Sequence, residues 1–125
     1  MANENLPPWL EALLRVEGAK HPDPDIRLVQ THVSYVLLAG DNVYKFKKPV
    51  NFGFLDFSDA DKRRYYCAQE LQLNRRLCPD IYLGLVEVTE ENGDFTLNGS
   101  GRPVECGVRM RRMPEERMMV NLIRA

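Results

Sequence analysis

A single long helical pattern, set between two groups of strand-like runs, constrains the fold more than any other feature of the chain. Residues 59–77 place apolar side chains at helical spacing, Ser58 with Asp61 three residues on reads as a capping box, and Pro79 closes the segment. Before it lie three short runs, IRLVQ, SYVLLAG and NVYKFKK; after it come IYLGLVEV, DFTL and VECGVRMRRM. Gly40-Asp41-Asn42 joins the second and third runs as a hairpin, and EENGD carries an Asn-Gly turn signal after the fourth. Helices bury a stripe and strands bury a face, so this order predicts an α+β fold. Its antiparallel sheet of about five strands would pack on one long helix. An extra N-terminal helix is predicted from NLPPWLEALLRVEG, with Asn5 as cap, prolines in the first turn and Gly18 as terminator. The HPDPD stretch that follows reads as a stiff connector.

With 125 residues the chain suits one domain with a modest core. A composition of 44% hydrophobic and 28% charged residues fits a globular fold and argues against disorder. A net charge of −1 predicts no general affinity for nucleic acid. No apolar run approaches the roughly 20 residues of a membrane span, and MANENLPPW lacks a signal pattern, so a cytoplasmic location is expected. Cys67, Cys78 and Cys106 are odd in number and widely spaced, which predicts reduced core thiols rather than disulfides or a zinc site.

The candidate site comes from two periodicities. Along NVYKFKK, side chains alternate, so Val43, Lys45 and Lys47 share one face while Tyr44, Phe46 and Lys48 share the other. Around the long helix, at about 100° per residue, Tyr66, Cys67, Leu71, Leu73, Leu77 and Cys78 fall in one apolar arc. Glu70 lies near its middle, with Gln69, Gln72, Arg75 and Arg76 opposite. A carboxylate centred on an apolar face needs a partner, because burying it unpaired would cost several kcal/mol. Arg63 and Asn74 are partners within the helix; a lysine of the third strand is the partner across the fold. A third-strand lysine fixed by a carboxylate of the following helix is an arrangement that holds nucleotide phosphates. An apolar residue two positions before the lysine packs on the base there, which Val43-x-Lys45 satisfies better than Lys45-x-Lys47.

The phrases THVS, VYKFKKPVNFGFLDFS, ELQLNRRLCPDIYLG and VRMRRMPEERM, spanning residues 26 to about 120, resemble the N-terminal part of the bacterial aminoglycoside phosphotransferase-like family. Members of that family often carry a P-loop ATPase domain further along the chain. The resemblance implies a protein-kinase-like N-lobe over residues 26–113, preceded by the helix and connector of 1–25. Residues 114–125 would begin the path to a C-lobe. It implies ATP as ligand, with Lys45 (or Lys47) on the phosphates, Glu70 as its helix partner and Val43 against the base. Thr31, His32 and Ser34 of the THVS turn would form the nucleotide-covering loop, and Met110 to Pro114, with Arg112, a linker to the adenine. THVS contains no glycine, so its backbone would cradle phosphates less closely than a glycine-rich loop. No catalytic residue is expected: the one His-x-Asp, His21-Pro22-Asp23, precedes the first strand and reads as connector. Mg²⁺ and the catalytic aspartates would come from a C-lobe, so the chain is expected to be a fragment, inert alone in phosphoryl transfer.

Two further readings stand beside this one. A kinase-shaped lobe that binds no nucleotide would act as a docking or regulatory module. Nucleic-acid binding through Lys45, Lys47, Lys48, Arg109, Arg111 and Arg112 is disfavoured by the charge balance and the lack of interleaved aromatics. Met110, Met113, Met118 and Met119 read as lobe-interface packing, a surface that would also suit a homodimer.

Overall fold

A computed structural model of the chain describes residues 6–20, 26–51, 53 and 56–112. The elements run α1 (Pro8–Lys20), β1 (Ile26–Gln30), β2 (Ser34–Ala39), β3 (Asn42–Lys47), α2 (Ala60–Leu77), β4 (Tyr82–Glu91), β5 (Asp94–Leu97) and β6 (Arg102–Arg111). The fold is α+β, with one antiparallel sheet of six strands in the order β1-β2-β3-β6-β4-β5. Strand β6, last in sequence, sits between β3 and β4: Val43 pairs with Met110 on one side, and Leu85 with Val108 on the other. Two-residue turns close the hairpins. Ala39 pairs with Asn42 across a turn with Gly40 at φ 61°, and Glu91 pairs with Asp94 across Asn92 and Gly93 at φ 55° and 86°. In the second turn positive φ at both central residues, and in the first positive φ at Gly40 alone, match the right-handed twist of the flanking strands.

Both faces of the sheet are covered, which extends the expectation of one sheet on one helix. Val36, Leu38, Val43, Val108 and Met110 pack with Cys67 of α2 on one face. Leu37, Ala39, Tyr44, Phe46, Val86 and Val88 pack with Leu10 and Leu13 of α1 on the other. Trp9 meets the Phe46 ring edge-on, with centroids 4.9 Å apart. All six residues of β2 are buried. An apolar run such as SYVLLA, without alternation, suits a strand with a helix on each side.

The helix ends differ in detail from expectation. Asp59, not Ser58, caps α2: its carboxylate accepts the Lys62 N–H at 2.8 Å, while Ser58 bonds back to Asp56. The charged oxygen is the stronger acceptor at a helix N-terminus. Leu77 ends α2 two residues before Pro79, as the proline requires. Helix α1 runs through Gly18 to Lys20, where Lys20 pairs with the buried Glu17 at 3.3 Å. The arc of α2 that meets the sheet is narrower than its apolar pattern: Cys67 is buried, yet Leu73 is 57% and Leu77 81% exposed. Cys67 and Cys106 are buried free thiols and Cys78 is half-buried. No described helix is long and apolar enough to cross a membrane. Asn5, the HPDPD connector and its His21-x-Asp23, Phe52, Phe54, Leu55 and the stretch from Met113 onward lie outside the described residues.

Candidate phosphate site

Strand β3 carries two opposed chemistries because its side chains alternate. Tyr44 and Phe46 enter the core under α1, while Val43, Lys45 and Lys47 face α2. Lys45 is 4% exposed and Lys47 9%. Their ammonium groups meet one carboxylate. Lys45 Nζ donates to Glu70 Oε2 at 3.1 Å, and Lys47 Nζ donates to Oε1 at 2.8 Å. The two lysines are therefore joint partners of Glu70 rather than alternatives.

Of the partners within the helix, Arg63 is otherwise engaged. Arg63 holds Glu105 of β6 through Nε and an Nη, at 2.9 and 3.2 Å, and also donates to the Phe57 carbonyl at 2.8 Å. By fixing Phe57, Arg63 also shapes the site. The Phe57 ring lies 5.0 Å from Lys47 Nζ, a cation–π contact, and stacks edge-on against Tyr66 at 5.2 Å.

A cavity of about 240 Å³ opens beside the cluster, lined by both lysines and Glu70 together with Ser34, Phe57 and Tyr66. Burial pushes the Lys45 ammonium below its ordinary pKa, and the adjacent Glu70 only partly offsets this. Burial alone would raise the Glu70 carboxyl, but the two ammonium groups outweigh it and hold the group below its ordinary 4.5. Cys67, near the cluster on the same helix face, is held as a neutral thiol by hydrogen bonding to Cys106 and by burial.

A lowered carboxyl pKa in the folded state contributes stability that is present above 4.5 and lost as pH falls through the lower folded value. Wild-type protein is therefore expected to exceed Glu70→Gln in stability at neutral pH, with the gap closing in acid. Denaturant midpoints of both proteins from about pH 7 to about pH 3 check this, and the difference between them removes every other carboxylate from the comparison.

The expected site residues divide. Ser34 joins Lys45, Lys47 and Glu70 at the cavity, with Val33 beside it. Thr31 wires the turn instead: its Oγ1 accepts the Val33 and Ser34 N–H groups at 3.2 and 3.0 Å and lies 2.7 Å from Ser34 Oγ. His32 is exposed on that turn. Val43 and Met110, paired in register, are buried side by side in the core on the same face as Lys45. Met110 thus belongs to a strand rather than to a linker. Arg112 donates to the Gly40 carbonyl at 3.3 Å, at the far end of β3. The neighbouring arginines also have internal partners: Arg109 bonds Asn42 Oδ1 and Arg111 bonds the Asp80 carbonyl. Sequence reasoning missed Phe57, Tyr66 and Gln69 as lining residues. Tyr66 carried a signal in its place on the apolar arc; Phe57 sits in an aperiodic loop and carried none.

Uncharacterized proteins of Mycobacterium tuberculosis and Mycobacterium bovis are each 36% identical to the chain over 108 residues, 84% of its length. The chain spans about a fifth (20%) of these relatives. No family model matches the chain, and no solved structure does either.

Proposed function

We propose that the chain is the nucleotide-binding lobe of a kinase-like phosphotransferase, whose catalytic aspartates and Mg²⁺ site belong to a larger polypeptide. The observation that carries this reading is the buried contact of Lys45 with Glu70 at the edge of an open cavity. A fixed ammonium in a low-dielectric wall neutralises phosphate charge, and the carboxylate keeps it in place before the ligand arrives. The topology agrees with a kinase-like N-lobe as the resemblance describes it, with the lysine on the third strand and the carboxylate on the helix that follows. Val43 and Met110 are buried in the core two residues along the strand from Lys45, so the apolar wall beside the lysines is formed by Phe57 and Tyr66 instead. The relatives' greater length leaves room for a second lobe.

Titration calorimetry with ATP tests the reading. Wild-type protein is expected to bind, and Lys45→Met to bind at least about tenfold more weakly, the scale of one lost charge-assisted hydrogen bond. Absence of ATP binding to the wild type would favour a docking module. That second reading is supported by Tyr65, Leu73 and Leu77, which leave an apolar stripe exposed along α2.

A further inference from the structure

We infer that Lys47 is a second anion ligand, and that Lys45, Lys47 and Glu70 form a clamp for a di- or triphosphate chain rather than for a single phosphate. This rests on the phosphate-binding reading of the site and goes beyond it, since a single lysine meets the needs of that reading. The argument is one of charge. Two ammonium groups share one carboxylate, with side chains 4%, 10% and 11% exposed. Among the described residues the other nearby carboxylates have their own cations: Asp56 has Lys62, Glu105 has Arg63 and Glu87 has Arg64. Cys67 is neutral. The cluster therefore carries one positive charge that no described group balances.

One lysine would neutralise Glu70. A second adds ammonium desolvation and repulsion between the two cations, without which the pair would be the more stable arrangement. A structural role would be served better by an apolar side chain at residue 47. The cost is offset when an anion enters. Each ammonium has three donors, and among the described residues each spends one on Glu70. The remaining donors lie beside the cavity, and Lys47, the more exposed of the two, is backed by the Phe57 ring. Because both lysines sit on one carboxylate, neighbouring phosphoryl groups of one chain can reach both.

Titration of the whole chain at low salt with tripolyphosphate, inorganic phosphate and ATP decides the matter, on wild type, Lys47→Met and Lys47→Gln. The expected result is tighter binding of tripolyphosphate than of phosphate by wild type. Both variants should weaken tripolyphosphate binding roughly tenfold or more, toward the phosphate level. Both should unfold no earlier than wild type, because they leave a neutral Lys45–Glu70 pair. The glutamine variant keeps a hydrogen-bond donor to Glu70, so it separates lost charge from lost packing. Variants that bind tripolyphosphate and ATP as wild type does would overturn the clamp while leaving nucleotide binding intact. A wild type that takes tripolyphosphate but not ATP would keep the clamp and remove the nucleotide. A wild type that binds neither overturns both.

Discussion

Glu70→Gln is expected to lower folding stability by about 3–5 kcal/mol, the cost of leaving buried charge without its partner. The neutral amide has nearly the same shape, so the loss reports charge and not volume. Two ammonium groups remain in the protein wall, 4% and 10% exposed, with no described carboxylate in reach. The measurement is the guanidinium midpoint at neutral pH, with an unchanged slope showing that the transition remains the same one. Adding Lys47→Met to Glu70→Gln should recover part of the loss, because it removes one of the stranded cations. Non-additivity of that kind is the mark of residues acting as one electrostatic unit.

Gly107→Ala is expected to be comparably damaging, upwards of about 3 kcal/mol, at the severe end of overpacking effects. Gly107 lies in β6 opposite Phe46 of β3 and Val86 of β4. A Cβ there would sit 2.6 Å from Phe46 Cδ1 and 2.7 Å from the Lys45 carbonyl oxygen. Neither can yield easily. Phe46 is fully buried and braced by Trp9, and Lys45 is held within the paired strand β3. Space alone is the requirement, since Gly107 is not among the residues at positive φ. The matched control is Gly84→Ala in β4, where nothing lies within 4 Å of the added carbon and the change should be within about 0.5 kcal/mol. Thermal melts of the two variants make the comparison.

How much of this was legible in the sequence depended on whether a residue's neighbours were local. The face of Lys45 followed from strand alternation, and the burial of Glu70 from helical spacing, so their meeting was readable where the two patterns crossed. The sharing of Glu70 was not, because flexible four-carbon stems let two lysines of one strand face converge on a single carboxylate. Leu73 and Leu77 read as core from periodicity, but the width of the buried arc depends on how the helix crosses the sheet. The Arg63–Glu105 pair joins residues 42 apart and left no local mark. The same holds for the strand order: composition and turns located every strand without showing that the last would enter the middle.

That position of β6 bears on how the molecule is assembled. The first three strands form one meander and β4 with β5 another, and only β6 is hydrogen-bonded to both. Its side chains meet partners far back along the chain, as in the bond between Arg109 and Asn42, 67 residues apart. Such non-local closure makes folding slow relative to helical domains of similar size. During synthesis the two groups of strands must wait, each with a bare edge, until β6 has left the ribosome; Lys45 and Lys47 stand on one of those edges, so the sheet that carries the candidate site is completed last.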